Sequence, residues 1–169
     1  MKLKAMGKIN LALDVVRKRE DGYHEVRMIM QTVDLWDELE FHETKEPGIR
    51  LATNLSYLPV NENNLVFRAA SLLMNEFQIH SGLEIRLHKR IPVAAGMAGG
   101  SSDAAAALVG VNRMFRLGLT RKELMSRAVG LGADVPYCVL RGTALAEGIG
   151  EILTPLPPLP RCHILIGKP

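Results

Sequence analysis

The chain has 169 residues, 21 of them basic and 18 acidic, for a formal charge of +3; 47% are hydrophobic and 23% charged. That is ordinary globular usage, which excludes a disordered tail, a collagen-like chain and a coiled coil. No apolar run approaches the ~20 residues of a membrane helix, and aromatic residues, at 5%, are too few for a stacking platform along single-stranded nucleic acid.

The N-terminus lacks the apolar stretch of a signal peptide. Cys138 and Cys162 form no CxxC pair, which suits a reducing compartment. The expectation is a cytoplasmic protein with neither membrane nor nucleic acid as partner. The small basic excess fits an anionic small molecule.

In chain order, Ile9, Leu11, Leu13 and Val15 alternate with Asn10, Ala12 and Asp14. This predicts a strand with one buried face, on which Lys8 shares a side with Asn10. Asp21-Gly22 is a turn signal. Strands are expected over 26–35 and 38–42, and 49–52 is expected to pair back after Pro47-Gly48. Leu65, Ala69, Leu72, Leu73 and Phe77 follow helical spacing, with Asn63 or Asn64 as cap. Leu83, Ile85 and Leu87 alternate as a strand that ends at Lys89-Arg90-Ile91-Pro92. Ala104, Leu108, Val111 and Phe115 mark a second helix, with one of Ser101 and Ser102 expected as its cap. Thr120 and Glu123 form a capping box for a third helix through Leu131, ended by Gly132. Short strands are expected over 143–146, 151–153 and 163–166. The sum is an α+β fold: a mixed, mostly antiparallel sheet with helices on one face.

The stretch Val93-Ala94-Ala95-Gly96-Met97-Ala98-Gly99-Gly100-Ser101-Ser102-Asp103 is the most informative. A small-residue turn lets backbone N–H groups approach an anion, and the helix it opens adds unpaired donors. It is neither a Walker A motif nor GxGxxG. The two serines could cap the helix, touch a phosphate or meet Mg²⁺. Asp134, in Gly132-Ala133-Asp134-Val135-Pro136, is either a helix cap before proline or a general base for phosphoryl transfer. Lys8 is either a solvated strand residue or a pocket cation that balances phosphate charge. Tyr23 and His24 are either a hairpin tip or a stacking site for a base. The remaining histidines lack metal-ligand spacing, so no metal site is expected from side chains alone.

Together these segments resemble the GHMP kinase superfamily. The resemblance rests on Ile91-Pro92 leading through Gly96 to Asp103, Lys8-Ile9-Asn10-Leu11, Asp21-Gly22-Tyr23-His24, Asn64-Leu65, Gly132 to Pro136, and Gly142 to Glu151. It is closest to the branch that phosphorylates the 2-hydroxyl of a cytidyl methylerythritol on the non-mevalonate route to isoprenoid precursors. It implies the β-α-β arrangement shared with a ribosomal protein domain, ATP and Mg²⁺ as cofactors, and an alcohol as acceptor. It also implies roles: Asp134 as base, Lys8 as its charged partner, Asn10 at the erythritol, Tyr23 and His24 at the cytidine, and Asn64 and Lys89 near the adenosine. The phosphates would lie in the cradle of Pro92, Val93, Ala94, Ala95, Gly96, Met97, Ala98, Gly99, Gly100, Ser101 and Ser102. Ala98 stands where many relatives carry glycine. The resemblance covers residues 1–169 as the N-terminal, ATP-binding domain only and implies a C-terminal domain as the partner that completes the cleft. The rival readings are another small-molecule kinase of the superfamily, or a nucleotide- or RNA-binding domain without catalysis.

Overall fold

The computed structural model describes residues 1–20 and 22–167; Asp21 of the expected turn lies outside them. The order of elements is β1 (Lys2–Lys18), β2 (His24–Thr44), β3 (Gly48–Thr53), α1 (Leu65–Glu76), β4 (Gly82–His88), α2 (Gly99–Met114), α3 (Arg121–Ala128), α4 (Val135–Leu140), β5 (Thr143–Glu147) and β6 (Ile152–Pro155).

β2 organises the sheet. It runs unbroken through residues 36 and 37, where two strands were expected, because Trp36 and its neighbours continue to pair with β1. β1 lies antiparallel along one edge for the whole length of the strand. On the other edge β5 pairs with Met28–Gln31 and β4 with Glu38–Thr44, both antiparallel. β3 joins β4 in parallel and β6 joins β5 in antiparallel.

Leu39 and Phe41 of β2, and Leu83, Ile85 and Leu87 of β4, point to one face and are buried. Glu38, Glu40, Glu84 and Arg86, in the intervening positions, point to the other. α1 and α2 cover the apolar face. Val66, Ala69, Ala70 and Leu73 of α1 meet Ala104, Ala107, Leu108 and Val111 of α2 in a single core with the strands. The expected mixed sheet with helices on one face is what forms.

Several local expectations are corrected. The far half of β1, residues 10–18, is exposed on both faces rather than buried on one. Leu11, Leu13, Val15 and Val16 of β1 lie open, although Met28 and Met30 of the paired strand β2 are buried in the core. α3 stops at Ala128 rather than Leu131. Residues 163–166 are not a strand, since they pair with no neighbour. α4 is an additional helix, started by Pro136, whose missing N–H costs nothing in a first turn. The α1 cap is Asn64, whose Oδ1 accepts from the Val66 N–H at 2.9 Å. The capping box of Thr120 and Glu123 forms in both directions. No helix among the described residues is long and apolar enough to cross a membrane.

Candidate functional site

The glycine-rich segment crosses from β4 to α2 as a loop of tight bends. Ala94, Gly96 and Ala98 all take positive φ, at 56°, 73° and 53°. Glycine adopts this region without penalty, but alanine does not. Ala98 is the residue at the N-cap of α2, and no side chain caps the helix there. Neither serine does so, contrary to expectation: the Ser102 hydroxyl donates instead to the Gly99 carbonyl at 2.8 Å, inside the first turn. The N–H groups at the start of α2 are therefore left to whatever occupies the loop.

A cavity of about 430 Å³ opens over this loop. It is lined by Pro92 to Gly96, Ala98 to Ser101, the segment around Asn63 and Asn64, Lys89, Asp103 and Asp134. Backbone donors, a helix N-terminus and small side chains make it a natural seat for a phosphate chain. Two residues of the expected cradle do not line it. Met97 is buried against Val33 and Ile91, where it anchors the loop, and Ser102 is turned into the helix.

Asp134 sits at the N-cap of α4 but makes no capping bond, which removes the competing structural explanation for its carboxylate. It faces the Lys8 ammonium instead, with Nζ to Oδ2 at 3.5 Å. Lys8 is buried and also donates to Asn10 Oδ1 at 3.1 Å. The register shifts between Met6 and Lys8, with the extra residues on the β2 side, which bends the pairing here, and the Lys8 N–H donates to the Met97 carbonyl at 3.1 Å. The strand is thus bonded directly to the loop. The other side of the pair is fixed through α4. The Tyr137 hydroxyl donates to the Gly142 carbonyl at 2.6 Å and lies 3.1 Å from Thr32 Oγ1. Burial pushes that phenol up to about 12. Cys138, next to it, is also buried and its thiol is pushed up to about 12, so it is inert at neutral pH.

Tyr23 and His24 are not brought to this cavity. They stand at the far end of the β1–β2 ribbon, where His24 pairs with Lys18, and Tyr23 is exposed. Asn64 borders the cavity with its oxygen committed to the α1 cap and its amide donating to the Pro59 carbonyl at 2.8 Å. Lys89 also borders the cavity, but its ammonium is turned inward. It is bonded to Asp37 and, at 2.7 Å, to Asp103. All three side chains are buried. Asp37 Oδ1 further accepts the Ile91 N–H at 2.8 Å.

Asp37 was not singled out from the sequence, although a signal existed. It occupies a core-facing position in the series Leu35, Asp37, Leu39, Phe41, and a carboxylate on an apolar face must have a partner. Asp103 gave no such signal among its alanine neighbours. Its carboxyl is pushed up to about 8, chiefly by burial, and its Oδ1 has no hydrogen-bond partner.

The family description "GHMP kinases N terminal domain" matches residues 64–142, from the α1 cap through the glycine loop to the end of α4. Over these residues the chain is similar to the N-terminal domain of GHMP kinases. A 4-diphosphocytidyl-2-C-methyl-D-erythritol kinase of Lachnospira eligens is 60% identical over all 169 residues, which span 59% of that relative. The enzyme of the same name from Lachnoclostridium phytofermentans is 61% identical over 167 residues, 99% of this chain and 57% of its own length. The chain therefore spans less than two thirds of the curated relatives it matches. A crystal structure of a 4-(cytidine 5'-diphospho)-2C-methyl-D-erythritol kinase superposes with a TM-score of 0.79 at 38% identity, over 92% of this chain and 55% of that one. The mevalonate kinase of Methanococcus jannaschii superposes at 0.72 with 15% identity, covering 93% and 56%; that likeness shows the shared GHMP fold.

Proposed function

We propose that this chain is the nucleotide-binding and proton-accepting part of a kinase that transfers the γ-phosphoryl group of ATP to the 2-hydroxyl of 4-diphosphocytidyl-2-C-methyl-D-erythritol. The observation that carries the reading is the meeting of Lys8 with Asp134 at the cavity of the glycine loop. The acceptor follows from the relatives, which carry the name of that kinase at 60% and 61% identity.

Phosphoryl transfer asks mainly for positioning and for charge stabilisation. Backbone N–H groups around Gly96 to Ser101 hold the phosphate chain. The Asp134 carboxylate takes the proton of the acceptor hydroxyl as that oxygen attacks the γ-phosphorus and the bond to the β-phosphate bridging oxygen breaks, releasing ADP. The Lys8 ammonium orients the carboxylate and offsets charge on the transferring group, and Asn10 holds Lys8 in place while facing the acceptor. Mg²⁺ travels with the nucleotide and needs only one or two protein oxygens beyond phosphate and water. That suits a cavity bordered by the Ser101 hydroxyl and one open carboxylate, Asp134; its contribution is to neutralise phosphate charge. Tyr23 and His24 serve the cytidine, and a C-terminal domain completes the cleft around it. The reaction belongs to isoprenoid precursor synthesis in the cytoplasm.

A coupled ADP-release assay with the cytidyl substrate, on this chain and on one extended to the relatives' full length, tests the reading. In the extended protein, Asp134→Asn lowers turnover by about 10²–10⁴, and Lys8→Ala lowers it comparably, with ATP still bound. Undiminished turnover in either variant would overturn the assigned roles.

A further inference from the structure

We propose that Asp103 is a positioning residue that acts through Lys89, with Asp37, to hold the glycine-rich loop in its phosphate-binding shape. The inference rests on the nucleotide reading above and adds a residue pair to it.

The three side chains grip the loop at both ends. Lys89 stands just before it, and Asp103 lies in α2 just after it. Asp37, on β2, takes the Lys89 ammonium on Oδ2 and the Ile91 N–H on Oδ1. Asn54 adds a second grip on the entry side: its Oδ1 accepts the Lys89 N–H at 2.8 Å and its amide donates to the Lys89 carbonyl at 3.1 Å. The Lys89 ammonium reaches across to Asp103 at 2.7 Å and passes so close to Gly99 that a Cβ there would lie 3.0 Å from Nζ. The cation therefore lies against the backbone of the first turn of α2, whose N–H groups face the cavity. A shift of Lys89 would move that turn and the loop's entry together.

Stability alone does not call for this cluster. Three ionisable groups withdrawn from water are often matched or bettered by apolar side chains of similar volume. Here one carboxylate oxygen, Asp103 Oδ1, is also buried without a partner. A direction-specific bond between two chain segments that flank a ligand loop is what apolar packing does not supply, and such fixed geometry governs how well a bound group is placed.

The test compares wild type with Asp103→Leu and Asp103→Asn, each read for melting temperature, ATP affinity by calorimetry, and hydrogen exchange of the amides of residues 94–101. Asp103→Leu leaves Lys89 paired with Asp37, so the variant folds. It melts no more than a few degrees from wild type, binds ATP about tenfold more weakly and exchanges its loop amides faster. Asp103→Asn keeps an acceptor for Lys89 and stays within twofold of wild type on both readings. Asp103→Leu with wild-type loop exchange overturns the clamp, whether or not ATP binds. Wild type that binds no ATP overturns the nucleotide reading and the ligand half of this one. A lowered melting temperature in Asp103→Leu with unchanged affinity and loop exchange marks a merely structural role and also overturns the proposal.

Discussion

Ala98 shows at a single position how the loop trades stability for shape. Its φ of 53° is left-handed, a conformation in which a Cβ crowds the following carbonyl at a cost of about 1 kcal/mol or more. Its carbonyl accepts the Ser102 N–H at 2.8 Å, the first bond of α2, so the strained residue is also the one that starts the helix. Ala98→Gly is expected to stabilise the fold by about 0.5–1 kcal/mol, net of the extra freedom glycine gains in the unfolded chain. Urea unfolding of the two proteins checks it, and a destabilised glycine variant would contradict the strain argument. The sequence announced that this turn was unusual through its density of small residues. It did not announce which residues would carry positive φ, because two of the three are alanines. Likewise Lys8 and Asp134 could be named as candidates from their local patterns, but their approach to 3.5 Å depends on a register shift between β1 and β2 and on the anchoring of α4 by Tyr137.

At the scale of elements, α2 does two jobs, presenting its N-terminus to the cavity and packing its length against the sheet. Close approach is possible because Gly110 faces the ring of Phe41 on β2: a Cβ at this position would overlap three ring carbons. Alanine is ordinarily the better helix residue by about 1 kcal/mol, so the sign of Gly110→Ala is diagnostic. The expected result is destabilisation by about 1–3 kcal/mol, from overpacking between α2 and β2, read by thermal or chemical denaturation. Helix boundaries set by local chemistry were legible beforehand, as with the capping box of Thr120 and Glu123. Those set by tertiary contact were not. The strand expected over 163–166 has the right alternation but no edge to pair with, and β2 reads as two strands only if Trp36 and Asp37 are judged by propensity rather than by their partner β1.

Over the whole molecule, the core and the far end of β1 behave differently. The helix-covered half of the sheet is closed on its apolar face, whereas the far half of β1 carries Leu11, Leu13, Val15 and Val16 in solvent, Val15 at 58% exposure. Apolar side chains grouped in this way form a sticky surface. The chain is expected to bind an apolar dye such as ANS and to self-associate as concentration rises. Leu13→Lys with Val15→Lys should lower both, measured by fluorescence and light scattering, while the melting temperature changes little, since neither residue belongs to the core. Periodicity in the sequence correctly marked this segment as a strand. It could not say whether a layer lies over it, because alternation records a face that suits burial, not the neighbour that buries it.

The bond from the Lys8 N–H to the Met97 carbonyl ties the strand bearing the proposed cation to the loop proposed for the nucleotide. Two ligands that each press on one side of a shared hinge are thermodynamically coupled, and the coupling is reciprocal. On that proposal, affinity for the alcohol would depend on whether the triphosphate is already in place, and by the same factor in reverse.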